Sequence, residues 1–299
     1  MGAGEARRHR KPLTSFRWRD INGLLGETSR AWSRHNAPRL GAALAFYTLF
    51  SLTPLSLLAV GIGGLVFGRK AAESQIVWQV HNLVGMTGAN VIEAILQGTR
   101  STAHGVLASI VGFLTLLSGA SALFVELRDA LNTIWEVPAA EGSGLRNIFN
   151  IVKERLFSFV LVLAIGFLLL VSLAISTSLA ALGKYSASLT SLPEAILQMA
   201  TGLVSFVAIT GLFAAIYKVI PEVRIEWRDV WPGAAVTSIL FTLGKLAIGV
   251  YLGKASFASA YGAAASMVLF IFWVYYSSQI FFLGAEFTRA FAKRRGSMA

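Results

Sequence analysis

Apolar residues along the chain fall in blocks of twenty or more, separated by short polar stretches that hold most of the charge. A bilayer span needs about 20 mostly apolar residues, and a single soluble core would not demand such long unbroken runs. The blocks predict six transmembrane helices, at roughly 41–67, 106–125, 156–182, 195–220, 231–252 and 261–287. The expected fold class is therefore all-α, a polytopic helical bundle. The longer blocks predict tilt.

The stretch 68–105 is too polar to cross. Ile76, Val80 and Leu83 recur at helical spacing. Val91, Ile92, Ile95 and Leu96 do the same after a break between Gly85 and Gly88. Two amphipathic helices are expected, lying on the membrane or packed over the mouth of the bundle. One reading makes them a simple cap; the other makes them a re-entrant or gating element. Residues 1–40 form a basic arm, in which Trp18, Ile21, Leu24 and Leu25 suggest an amphipathic helix on the membrane surface. Residues 288–299 form a basic tail. No cleavable signal peptide is expected, because about forty polar residues precede the first block, which is itself too long for a signal core.

Charge then sets the orientation. Only 14% of residues are charged, against about 25% in soluble proteins, and the net charge is +11. Twenty of the 26 Lys and Arg residues lie in the N-terminal arm, the loops after the second and fourth spans, and the tail. Five lie on the opposite side, and Lys245 falls inside the fifth span. The positive-inside rule places both ends in the cytoplasm, which an even number of spans requires. The basic excess then reads as a match to anionic lipids, and no specific nucleic-acid partner is expected.

The chain has no Cys, which removes disulfides and thiol chemistry. His9, His35, His81 and His104 are scattered, so no metal site or cofactor is expected. No Gly-rich nucleotide loop of the Lys-Ser/Thr type is present.

Ionisable groups at membrane depth are costly and so mark candidate function. Lys245 shares i+4 steps with Thr237, Phe241, Gly249 and Gly253, and is expected to face the bundle interior or a wet cavity. Glu286 lies too far away in depth to pair with it. Lys245 is then either satisfied by neutral polar groups or meets an anionic ligand such as a lipid phosphate. Tyr275, Gln279 and Glu286 form a polar line on the sixth span, read either as interhelical hydrogen-bond glue or, with Lys245, as the wall of a substrate path. Glu286 could also pair with Arg289 one turn on. Pro54 predicts a kink in the first span. Glu126, Arg128 and Asp129 form a candidate charged cluster at the inner end of the second span. Pro232 suits the first turn of the fifth span, with Asp229 nearby as a cap.

Several stretches occur in a recognisable order: Ala43-Leu44-Ala45-Phe46-Tyr47-Thr48-Leu49, Leu52-Thr53-Pro54-Leu55, Glu126-Leu127-Arg128-Asp129-Ala130-Leu131-Asn132, Trp227-Arg228-Asp229-Val230-Trp231-Pro232-Gly233, Tyr261-Gly262 and Leu283-Gly284-Ala285-Glu286. Together they resemble the YihY/BrkB family of bacterial inner-membrane proteins. The resemblance implies six helices, a role in the bacterial envelope, and the transport or binding of a lipid-like substrate. It supplies no agreed catalytic or binding residues. A non-transporting envelope scaffold with protein partners is the alternative. The old ribonuclease BN label of the family is disfavoured, because hydrolysis by bound metal needs clustered ligands and these histidines are dispersed.

Overall fold

The computed structural model describes residues 18–100, 122–138, 194–223, 225–254 and 265–295. All the regular structure among them is helical. We number the elements α1 (Trp18–Arg34), α2 (Ala37–Phe67), α3 (Arg69–Val84), α4 (Met86–Arg100), α5 (122–134), α6 (Glu194–Val219), α7 (Trp227–Lys254) and α8 (Ala265–Arg295). By length and composition α7 and α8 can each cross a membrane, and α2 makes a third if its bent halves form one span. The third expected span, and most of the second, lie outside the described residues.

Three boundaries differ from the apolar blocks. α2 begins at Ala37, with Pro38 in its first turn, where a missing N–H costs nothing. α7 begins at Trp227, so Pro232 lies inside the helix instead of opening it. Proline cannot donate to the carbonyl four residues back, which here is that of Arg228. Arg295 Nη1 reaches that carbonyl at 3.4 Å, so the acceptor freed by Pro232 is used by the end of α8. α8 runs on to Arg295, two turns beyond its apolar block, and ends in Lys293, Arg294 and Arg295. The expected kink is present: the axis turns by 45° between Ala37–Thr53 and Leu55–Gly61, on either side of Pro54.

α3 and α4 are separate helices joined at Gly85, whose φ of 84° suits a residue without a side chain. They do not simply cover the end of the bundle. α3 folds back along α2, and Val91 of α4 joins Ala45, Phe270 and Val274 in one cluster. Ile92 and Leu96 pack with Val60 in another. The apolar face of α4 is thus spent on the cleft between α2 and α8.

The largest core lies toward the basic end of the bundle. Phe124, Leu131 and Ile134 of α5, Phe213 and Tyr217 of α6, Val230 of α7 and Phe281 and Phe282 of α8 are all buried there. α7 and α8 run antiparallel, and small residues set their approach. A side chain on Gly233 would strike Thr288, and one on Gly284 would strike Thr237. A Cβ on Gly244 would lie 2.6 Å from Ile280. Such contacts let backbones approach where lipid offers no hydrophobic drive to associate. Polar side chains link the same helices. Tyr217 Oη donates to the Phe281 carbonyl at 2.7 Å and lies 3.1 Å from Thr237 Oγ1. Thr210 bonds Ser238 at 3.0 Å between α6 and α7.

Candidate functional site

Two tight corners meet on α8 at the basic end. The first joins α1 to α2 through His35 and Asn36, with Asn36 at φ 51°. The second follows α5, where Glu136 takes φ 52°. Left-handed backbone is uncommon outside glycine, and it is tolerated more readily by Asn than by Glu. Two such corners against one helix mark a place where position outweighs local preference.

Glu286 of α8 is fully buried beneath them. Its Oε1 lies 2.5 Å from Nδ1 of His35. The other ring nitrogen of His35, Nε2, lies 3.4 Å from Glu136 Oε1. Arg289, also buried, bridges the two acids: it pairs with Glu136 and lies 3.9 Å from Glu286 Oε2. Lys293 reaches Glu136 at 3.2 Å, and Arg34 approaches it at 4.0 Å. Burial works to raise the Glu136 carboxyl, but the contacts and charges of Arg289 and Lys293 overcome it and hold the group down at about 2. Glu136 is therefore an anion throughout the ordinary pH range. Further out, Arg294 pairs with Glu27 of α1 at 2.9 Å, and Arg295 pairs with the buried Asp229 at 3.4 Å.

The polar line on α8 splits. Glu286 enters this ionic node, and its expected pairing with Arg289 exists as a long contact. Gln279 lies beside Gly41 of α2 and donates to the Ala37 carbonyl at 3.5 Å. Gln279 Oε1 and Glu286 Oε2 are buried acceptors with no hydrogen-bond partner among the described residues. Tyr275 is half-buried and packs at the edge of the α2–α4–α8 cluster. These three residues do not converge on one cavity.

Lys245 stands apart from all of them. Its side chain, expected to face the bundle interior or a wet cavity, is exposed on α7 where that helix meets α8. Each i+4 step advances a helix by about 400°, so the face drifts by about 40° per step. Thr237 is buried, Phe241 is half-buried, and Lys245, about 80° round from Thr237, has turned outward. It lines a shallow groove with Phe241, Gly244, Trp273, Tyr276 and Ser277.

The charged end of α5 also reaches further than its own helix. Arg128 pairs with Glu222, whose backbone N–H donates to Asn132 Oδ1 at 3.0 Å and whose carboxylate accepts from Asn132 Nδ2 at 3.5 Å. Burial pushes the Glu126 carboxyl up, and the Asp129 charge adds to this, against Arg39. His35 and Glu136 were not singled out from sequence. The signal for His35 was depth: it directly precedes the first apolar block, at the level where Glu286 closes the last.

A family model described as virulence factor BrkB matches residues 28–298. The chain is 28% identical to a UPF0761 membrane protein of Verminephrobacter eiseniae, over 94% of this chain and 69% of that protein. It is 29% identical to one of Stenotrophomonas maltophilia, over 88% of this chain and 60% of that protein, and 27% identical to one of Delftia acidovorans, over 93% and 64%. The chain thus spans about two thirds of the length of these relatives. No solved structure matches it.

Proposed function

The chain belongs to the virulence factor BrkB family, whose curated relatives are named as membrane proteins, and from that premise we propose that it transports or binds an anionic amphipathic substrate, such as a lipid, in the inner membrane of the bacterial envelope. In this reading six helices cross the bilayer, both ends are cytoplasmic, and the protein is not an enzyme. One observation supports the substrate class: Lys245 is an exposed cation beside a groove on a helix long and apolar enough to span.

Its depth supports the reading. Trp227 and Trp231 are exposed at the start of α7, where amphipathic rings suit the interface. Lys245 follows Trp231 by about 21 Å of helix, which leaves it in the outer part of a hydrocarbon layer about 30 Å thick. From there the amine extends toward the outer head groups, with its methylenes against the groove. A phosphate is the anion available at that level. Trp273 and Tyr276 would flank the acyl chains beneath it, and Ser277 offers a hydroxyl.

The test uses the full chain in proteoliposomes, with fluorescent phosphatidylglycerol and phosphatidylcholine as probes. Transfer of the anionic probe is expected to fall about tenfold in Lys245→Met, equivalent to about 1.4 kcal/mol, with little change for the zwitterionic one. Equal transfer of phosphatidylglycerol by the parent and Lys245→Met removes Lys245 from the mechanism. Absence of flux in the parent, with other proteins co-purifying, favours the scaffold.

A further inference from the structure

We propose that His35 and Glu286 form a proton-binding site whose occupancy locks the α1–α2 corner onto α8. Nδ1 of His35 faces Glu286 Oε1 at 2.5 Å, and Nε2 faces Glu136 Oε1 at 3.4 Å. A neutral imidazole carries one N–H and one lone pair. In either tautomer, one ring nitrogen would present its lone pair to a carboxylate oxygen. With Glu136 held where it stands, one further proton, on the ring or on Glu286, removes that conflict. Glu136 does not hold it, because Arg289 and Lys293 keep its carboxyl down at about 2.

The remaining charges around the pair address the acids and not the ring. Arg289 lies 3.9 Å from Glu286 Oε2 and also pairs with Glu136. Lys293 and Arg34 approach Glu136 from α8 and from the end of α1. These cations favour release of the proton, and the two carboxylates favour its retention. Imidazole is the side chain that ordinarily changes charge between about pH 5 and 8.

Release would act on α1. That helix meets α8 through the exposed Glu27–Arg294 pair, with Gly23 against the Arg294 side chain. Exposed pairs contribute little, so the buried corner is the main polar anchor. A proton bound only in the closed form favours closure, so closure is complete at low pH and is lost as pH rises through the site's midpoint. This inference stands whether or not the protein moves lipid.

The chain has no cysteine, which makes the test clean. Nitroxides are attached at Ser29→Cys and Glu226→Cys, two exposed positions on α1 and ahead of α7, in the full chain in lipid nanodiscs. Pulsed electron–electron distances are then read at about pH 5.5 and about pH 8.5, either side of the imidazole range. The fraction at longer distance is expected to rise about tenfold at the higher pH, the change that one unit of coupling carries. In His35→Gln the distribution should not respond to pH. Should that variant fail to fold, Glu136→Gln serves: its amide can turn a donor to Nε2, so the transition should shrink. A parent distribution that is the same at both values, or an undiminished transition in both variants, overturns the proposal.

Discussion

Arg289→Met destabilises the bundle by about 3–5 kcal/mol, the range expected when one partner is removed from a buried ion pair. Arg289 is almost fully buried, and it is the cation that approaches Glu286 Oε2 while also holding Glu136. Without it, Glu136 keeps Lys293 and Arg34 at the rim and can turn to solvent. Glu286 cannot turn to solvent and keeps only His35, because it lies beneath both corners with its other oxygen lacking a hydrogen-bond partner among the described residues. The loss therefore comes mainly from a stranded charge and less from a lost attraction. It follows that Glu286→Leu in the Arg289→Met background should recover much of the loss. Unfolding of the full chain in mixed micelles with increasing denaturing detergent reads both variants, and additive losses in the double variant would count against this assignment.

Gly284→Val should be about as damaging, for a steric reason. A Cβ at Gly284 would overlap Thr237 Oγ1 and lie 2.7 Å from the Tyr217 hydroxyl. Those two groups join α6, α7 and α8 through the Phe281 carbonyl and each other. Forcing a branched side chain between them costs about 1–3 kcal/mol of overpacking, with about 1 kcal/mol more for each hydrogen bond broken. Gly202→Ala is the matched control. Nothing lies within 4 Å of its Cβ position, and alanine is the better helix former by about 1 kcal/mol. The same detergent titration should show early unfolding for the first variant and no loss for the second.

Much of the architecture was legible because lipid imposes long apolar runs. The runs located α2, α6, α7 and α8, Pro54 located the bend, and Gly85 located the break between α3 and α4. Periodicity also found α1, where Leu24 is buried against the bundle while Leu25 stays exposed. What sequence missed depends on angle and on partners distant in the chain. Lys245 shares i+4 steps with Thr237, but the drift of those steps carries it from a buried position to an exposed one. Pro232 looked like a helix opener, yet α7 starts a turn earlier because Arg295, some sixty residues on, takes up the carbonyl that proline frees.

The ionic node was hidden for a related reason. Depth separates Glu286 from Lys245. The same measure of depth puts His35 beside Glu286, but His35 lies on the far side of the first apolar block in sequence. Glu136 carried no signal at all: its φ of 52° and its contacts with Arg289 and Lys293 arise only once α5 and α8 are packed together.

The ionic node and the exposed side of α4 are expected on opposite aqueous faces of the membrane. Single cysteines at Ser29, on α1, and at Glu93, exposed on α4, can be probed with a membrane-impermeant thiol reagent in sealed vesicles of known orientation. We expect Ser29→Cys to label only from the cytoplasmic side and Glu93→Cys only from the opposite side. Labelling of both positions from one side would contradict the account.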